Sequence, residues 1–244
     1  MKATYQDHMG SDMSVVNAAK VSNGKRSTWS PDMSDKDNRL IGFLARGCTI
    51  GDWDEILQEI DDSQDPDDIE HHINYLRRMP THWSPFAHTA ITLHLNMPIF
   101  VARQIMKHTT GIEYNEISRR YVDEPPELFA PDVWRSKAVN VKQGSGGAHP
   151  KSVGCSVLYE AAAQTALAAY DAMIADGVAP EQARMILPLS LYTEVIATGN
   201  LYAWCNLYTQ RTDPHAQEET RDIAHQIGGI IAPLFPVSFM GLTK

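Results

Sequence analysis

The chain has 244 residues, of which 43% are hydrophobic and 21% charged, and its formal net charge at pH 7 is −9. This composition is typical of a soluble globular protein, and the length allows one domain or two. The negative charge disfavours nucleic acid or an anionic membrane surface as the main partner, so a basic site has to be local and suits a small anionic ligand.

Helix-start patterns dominate the first third of the chain. Ser34 with Asp37, and Asp52 with Glu55, place a capping residue and an acidic group three positions apart, before apolar runs. Pro66 follows one aspartate and precedes two more, which is typical of a first helical turn. We predict a helix at each of these three places.

A half-buried strand is predicted over residues 87–96, where apolar and polar side chains alternate strictly. Ile91, Leu93 and Leu95 fall on one face, which indicates that this face is the buried one. A helix should follow the strand directly and end at Gly111, because glycine tolerates the left-handed conformation found at helix C-termini.

The second half of the chain is mostly helical in pattern. Residues 136–151 are rich in glycine, serine and lysine and predict a mobile surface loop. A long helix is predicted over 152–176, another from Pro180, and a last one capped by Asp213. Many helices with few strands predict the α+β class, as a helix-rich single domain over residues 1–244.

The cysteines and the apolar runs indicate a compartment. Cys48, Cys155 and Cys205 lie far apart and form no CxxC pair, which is typical of free thiols in a reducing environment. No apolar run has the length of a membrane span, and the N-terminal residues lack the apolar core and cleavage site of a signal peptide. We expect a cytoplasmic protein.

Residues 103–121, RQIMKHTTGIEYNEISRRY, concentrate polar groups in an otherwise acidic chain. On a helix, Arg103 and Lys107 share one face, while Gln104 and His108 share the adjacent one. Guanidinium groups, a hydroxyl and amides held together suit a phosphate group. The alternative is a solvated helix end whose arginines pair with neighbouring carboxylates.

Other kinds of site find less support. His88 and His94 would lie about 20 Å apart on a strand and cannot share one metal ion, and no HExxH, nucleophile elbow, P-loop or dinucleotide fingerprint is present. We expect no metal. Arg184, in an apolar helix, needs an anionic partner, which a structural ion pair can supply. Arg211, beside a predicted helix N-terminus, points more strongly to a ligand.

These segments resemble the flavin-dependent thymidylate synthases. That family carries an Arg-His-Arg triplet, then seven or eight residues, then a serine that follows Asn-Glu and precedes Arg-Tyr. Here the matching run is Lys107-His108-Thr109, eight residues and Ser118, with Asn115-Glu116 and Arg120-Tyr121 in the expected places. The segments NAAKVS, HWSPFAH, PIFVARQ, ARMILP, TGN and RTDPHAQ extend the resemblance over nearly the whole chain, in the family's order.

The chain departs from the family pattern at four positions. Lys107 and Thr109 replace the outer arginines of the triplet, Tyr202 stands where many members have arginine, and Ala87 stands where many have glutamate. A lysine cannot fork to two oxygens, and threonine carries no charge. The contacts to the phosphates of the cofactor are therefore where this chain should differ.

The resemblance implies a small antiparallel sheet and a homotetramer whose active sites are built from several subunits. It implies FAD as cofactor, NADPH as reductant, and reductive methylation of dUMP to dTMP with methylenetetrahydrofolate as carbon donor. Residues implied to contact FAD are Ser84, Lys107, His108, Thr109, Glu116, Asn200, Asn206 and His215. Residues implied to bind dUMP are Gln104, Lys107, Glu116, Ser118, Arg119, Arg120, Arg184 and Arg211. Arg211 would also be catalytic, since a cation at a carbonyl oxygen of uracil stabilises developing negative charge.

Several alternatives stay open on the sequence. The same site would give a hydroxymethylated nucleotide if water captured the methylene intermediate, and dCMP is an alternative substrate. A nucleotide-binding homologue without turnover would bind dUMP but show no dUMP-dependent NADPH oxidation. A purely structural protein explains none of the separated arginine segments.

Overall fold

The computed structural model describes residues 1–22, 24, 33–47, 50–78, 81–120, 125–139 and 144–243. The strands are β1 (Lys2–Met9), β2 (Ala90–Pro98), β3 (Ile112–Glu116), β4 (Arg135–Lys137), β5 (Ser145–Ala148) and β6 (Tyr192–Gly199). The helices are α1 (Asp12–Val21), α2 (Asp35–Arg46), α3 (Ile50–Asp62), α4 (Pro66–Arg78), α5 (Ile99–Ile105), α6 (Ser152–Ala175), α7 (Pro180–Ala183), α8 (Leu201–Arg211), α9 (Glu218–Ile231) and α10 (Pro236–Thr243). Short 3-10 turns cover Ser84–Ala87 and Arg184–Ile186.

An antiparallel sheet in the order β1-β2-β6-β3 forms the centre of the fold. On β2, Ile91, Leu93 and Leu95 are fully buried, as the alternating pattern predicts. They belong to one apolar core with side chains of α8 and α9, including Trp204, whose indole N–H donates to the carbonyl of Ile91 at 3.1 Å. The predicted α+β class with a small antiparallel sheet is confirmed.

Three local predictions are confirmed, because each rests on a capping residue at the end of a helix. Ser34 accepts a hydrogen bond from the backbone N–H of Asp37 and begins α2. Asp65 accepts from the N–H of Asp67 in the first turn of α4. Gly177, in the left-handed conformation with φ +83°, follows the long helix α6.

Other boundaries were wrong. Helix α3 begins at Ile50, before the predicted cap at Asp52, and α7 is a single turn. Asp213 does not cap the next helix: its carboxylate accepts from the N–H of His215 in a tight turn, and α9 begins at Glu218. Helix α10 was not predicted. Strands β4 and β5 pair within the predicted loop over 136–151, where residues 140–143 lie outside the described chain.

The most consequential error concerns the helix expected to end at Gly111. Helix α5 ends at Ile105, so Lys107 and His108 lie in a turn and not on the helical face inferred for them. The hydroxyl of Tyr114 donates to the carbonyls of Ile105 and His108, at 3.2 and 3.0 Å, and so holds the turn that follows α5. Gly111 is left-handed, as predicted, but it leads into β3.

Candidate functional site

The side chains of Arg211 and His108, 103 positions apart, form a direct hydrogen bond. Arg211 is the last residue of α8, and its Nε donates to Nε2 of His108 at 2.9 Å. A guanidinium only donates, so Nε2 of His108 carries the lone pair and the ring proton sits on Nδ1. Burial, and then the charge of Arg211, lower the pKa of His108. The imidazole is therefore neutral at pH 7, as the hydrogen bond requires.

The turn that carries His108 is held by Tyr114 of β3. Both carbonyls that accept from its hydroxyl flank the turn. Burial raises the pKa of the Tyr114 phenol, and this outweighs the opposite effect of Arg211. The hydroxyl therefore stays protonated, as a donor to two carbonyls must be.

Gly111 allows Asn200 to approach this turn closely. Gly111 has φ +79°, and a Cβ added there would lie only 2.7 Å from Nδ2 of Asn200. Asn200 is the N-cap of α8: its Oδ1 accepts from the N–H of Ala203 at 2.9 Å, and its own N–H donates to the carbonyl of Gly111 at 3.1 Å. Because the oxygen caps the helix, Asn200 presents its amide nitrogen beside the glycine.

A first cleft of about 450 Å³ opens over this turn and the start of α8. Five residues of the predicted cofactor set line it: Lys107, His108, Thr109, Asn200 and Asn206. Arg211 lines it too, and the rings of Trp83 and Tyr202, 5.9 Å apart, form an aromatic wall. Amide, hydroxyl and cationic donors beside aromatic rings suit a planar ring system that carries carbonyl and phosphate oxygens.

A second cleft, of about 460 Å³, shares Arg211 with the first as a lining residue. Gln104 and His215 line it, together with Arg135 and Gln217. The structure thus separates His215 from the other predicted cofactor residues and places it beside Gln104, a predicted nucleotide residue.

The remaining predicted residues line neither cleft. Ser84 is exposed in a 3-10 turn, next to Trp83 of the first cleft. Glu116 accepts from Oγ1 of Thr193 at 2.7 Å. The others are Ser118, Arg119, Arg120 and Arg184. Arg184 is exposed in a 3-10 turn, so the expectation that it lies buried in an apolar helix and therefore needs an anionic partner was wrong.

Sequence reasoning missed the side chains that support Gln104. Gln217 lies within the RTDPHAQ segment, but no role was assigned to it, and none was assigned to Glu219. Arg135 stands at the edge of the predicted loop, where no local pattern marks it. Only the fold brings these three together.

The cysteines lie apart from this chemistry as far as the structure describes them. Cys205 is buried, and burial raises the pKa of its thiol. Cys155, on α6, is partly exposed, and Cys48 lies outside the described residues. Within the described ranges, no three histidine, cysteine or acidic side chains are grouped as a metal ion would need, and no helix is long and apolar enough to cross a membrane.

Comparison with known proteins identifies the family of this chain. The family described as thymidylate synthase complementing protein matches residues 5–237. The flavin-dependent thymidylate synthase of Thermus thermophilus is 33% identical over 233 residues, which cover 96% of this chain and 72% of that protein. That of Thermosipho africanus is 31% identical and covers 98% of this chain and 89% of its own length. The UMP/dUMP methylase PolB from Streptomyces cacaoi, solved with 5-Br dUMP, superposes with a TM-score of 0.74 at 26% identity, over 99% of this chain and 94% of PolB. This chain is therefore an enzyme of the thymidylate synthase complementing protein family, that of the flavin-dependent thymidylate synthases.

Proposed function

We propose that this enzyme methylates dUMP to dTMP, taking the carbon from methylenetetrahydrofolate and the hydride from FAD that NADPH has reduced. The proposal rests on one observation above the others. Arg211 lines both clefts, and its Nε is held by a neutral histidine. Among the described residues, neither of its terminal nitrogens has a hydrogen-bond partner. A fixed cation with free donors that lines two clefts suits a reaction in which two bound molecules meet.

The first cleft is proposed to hold FAD. Asn200, Asn206 and Thr109 supply neutral hydrogen-bonding groups, and Lys107 supplies a point charge. When bound and reduced by NADPH, FAD would supply the hydride that the reaction consumes. The aromatic wall of Trp83 and Tyr202 offers an apolar surface to the planar ring system of the cofactor.

The second cleft is proposed to hold the nucleotide. C5 of uracil is a weak carbon nucleophile, and transfer of a hydride to the pyrimidine ring would place negative charge on the carbonyl oxygen conjugated with C5. A terminal nitrogen of Arg211 at that oxygen stabilises the charge without any proton transfer. His108 contributes by holding Nε, since a guanidinium fixed in advance loses less side-chain entropy when the nucleotide binds.

The assembly is proposed to be a homotetramer that completes each site with residues of a neighbouring subunit. Helix α6 supports this, because it leaves Val153, Val157 and Leu158 exposed to 80%, 61% and 74%. Apolar side chains so exposed on one helix are typical of a surface that another chain covers. The predicted nucleotide residues outside both clefts, Arg119 and Arg120 among them, are proposed to reach the site of a neighbouring subunit.

The test begins with the purified protein, which should be yellow and should lose its flavin absorbance when NADPH is added without oxygen. NADPH oxidation should depend on dUMP, and mass spectrometry should find dTMP. A protein that takes up no FAD would contradict the proposal. A hydroxymethylated product would show that the enzyme hydroxymethylates dUMP and does not methylate it. Because PolB is described as a UMP/dUMP methylase, UMP should be assayed beside dUMP.

A further inference from the structure

Four side chains form a continuous hydrogen-bonded chain that ends at the second cleft. Nη2 of Arg135, on β4, donates to both carboxylate oxygens of Glu219, at 2.6 and 2.8 Å. Nε2 of Gln217 donates to Glu219 at 2.9 Å, and Nε2 of Gln104 donates to Oε1 of Gln217 at 2.7 Å. Glu219 is buried, in the first turn of α9.

The charge at one end of this chain determines the orientation of both amides. Burial raises the pKa of Glu219, but the hydrogen bonds from Arg135 and Gln217, with that of its own backbone, outweigh it and hold the pKa below the usual range. An ionised carboxylate only accepts, so Gln217 must turn its NH₂ towards Glu219 and its oxygen towards Gln104. Gln104 must then present its own NH₂ to Gln217.

This orientation determines which atoms of the Gln104 amide bond to the protein and which remain for a ligand. Its amide nitrogen has two hydrogens, and these go to Gln217 and, at 3.4 Å, to the carbonyl of Phe100. Its Oε1 accepts no hydrogen bond from any residue that the structure describes. Gln104 therefore offers the second cleft an acceptor, while both of its donor hydrogens are in use.

We propose that Glu219 is a positioning residue, which acts through Gln217 to orient the amide of Gln104 so that its oxygen accepts from a donor group of the bound nucleotide. This inference rests on the proposed function. The donor is a sugar hydroxyl or the N3–H of uracil, whereas a phosphate oxygen, itself an acceptor, is excluded as the partner of this atom. Glu219 touches no substrate in this arrangement.

A double-mutant cycle on the FAD-loaded enzyme tests the proposal, with the dissociation constant of dUMP measured by calorimetry. Glu219→Gln removes the obligatory acceptor, so Gln217 can reverse, and dUMP affinity should fall about two- to tenfold, the range for one hydrogen bond. Gln104→Ala should cost a similar factor. The double variant should bind no more weakly than Gln104→Ala alone, because the two residues act on one contact.

Glu218→Gln is the matched control. Glu218 also pairs with Arg135, at 3.3 Å, but it has no hydrogen bond to Gln217. The substitution Glu218→Gln should leave dUMP affinity unchanged. Additive losses in the cycle, or an equal loss in the control, would show that Glu219 is merely structural and would overturn the proposal. If the wild-type enzyme bound no dUMP, the proposed function would fail first, and the wild-type titration shows this separately.

Two nucleotide analogues identify the donor. If the partner is the 3′-hydroxyl, 2′,3′-dideoxy-UMP should bind the wild-type enzyme more weakly than dUMP, but Gln104→Ala should bind both equally. If the partner is N3–H, N3-methyl-dUMP should show this pattern instead. If both analogues lose as much affinity for Gln104→Ala as for the wild-type enzyme, the acceptor role of Gln104 is wrong.

Discussion

At the scale of single residues, hydrogen bonds within the protein occupy some polar atoms of each site side chain and leave only the others for a ligand. The hydrogen bond to His108 uses Nε of Arg211, and the helix cap uses Oδ1 of Asn200. What remains in each case is a donor: the terminal nitrogens of Arg211 and the amide nitrogen of Asn200. Protein contacts therefore determine that the first cleft presents donors to its ligand.

Removing the guanidinium should affect the reaction more than the cofactor. Charge-assisted hydrogen bonds are worth about 1.5–3 kcal/mol, so Arg211→Ala should lower kcat/KM for dUMP by about ten- to hundredfold or more, with FAD still bound. Steady-state kinetics and the flavin spectrum measure the two effects. Arg39→Ala, at an exposed position of α2, is the control and should change neither. Near-normal turnover of Arg211→Ala would remove this residue from the catalytic role.

Acid should destabilise the fold through His108. Its pKa is lowered in the folded state, from a usual value of 6.5. The unfolded chain therefore takes up the proton first, so the stabilisation is complete above about pH 6.5 and is lost as the pH falls through the folded pKa. The unfolding free energy, from urea denaturation, should fall more for the wild-type protein than for His108→Gln between about pH 7.5 and 5. Parallel pH profiles would show that His108 does not titrate in this way.

At the scale of secondary-structure elements, the turn between α5 and β3 and the start of α8 behave as one unit. Tyr114 fixes the turn from β3, while Gly111 and Asn200 join it to α8 through a backbone hydrogen bond. The end of α5 at Ile105 therefore matters for the site, because it leaves the following residues to form this turn. In a helix continued to Gly111, the carbonyl of Ile105 would accept from the N–H of Thr109, and the turn that places His108 beside Arg211 would not form.

Gly111→Ala should disturb both stability and cofactor binding. A left-handed residue with a Cβ costs about 1–2 kcal/mol, and the new methyl group would also displace the amide of Asn200. Gly177→Ala is the matched control, because Gly177 has φ +83° but open space around its Cβ position. Both variants should lower the unfolding free energy, measured in urea, but only Gly111→Ala should weaken FAD binding, measured by flavin fluorescence. Equal FAD affinity in the two variants would contradict the steric argument.

At the scale of the whole molecule, α6 is a long helix that packs little against the rest of its own chain. Only Ala163 and Tyr170 of its 24 residues are buried, although its composition is largely apolar. Leu158, Ala162 and Ala169 recur on one exposed face at helical spacing. Such a helix gains little from its own chain, and contact with another subunit would bury it.

Leu158→Glu should therefore break the assembly. Light scattering on a sizing column should give the wild-type protein a mass of about four chains of 27.2 kDa each, and the variant a smaller one. Activity should fall with the assembly if neighbouring subunits complete each site. Val21→Glu, at a residue of α1 that is 62% exposed, should leave the mass unchanged. A wild-type monomer with full activity would show that one chain suffices.

The sequence by itself determined the features that depend on neighbours along the chain. Alternation placed the buried face of β2, hydroxyl and carboxylate caps placed the starts of α2 and α4, and a glycine placed the end of α6. The spacing of Lys107-His108-Thr109 and Ser118, with the other family segments, led to the family that the comparisons confirm. Caps, alternation and motif spacing are local, so they can be read without the fold.

Only the tertiary structure decided which side chains meet. The end of α5 depends on Tyr114, the orientation of Arg211 depends on His108, and that of Gln104 depends on Arg135 through Glu219. Each of these bonds joins elements that the sheet and the helices packed on it bring together, and no periodicity along the chain records them. A polar side chain finds its partner by proximity in the fold, and the atoms that its partner leaves unused determine what a ligand meets.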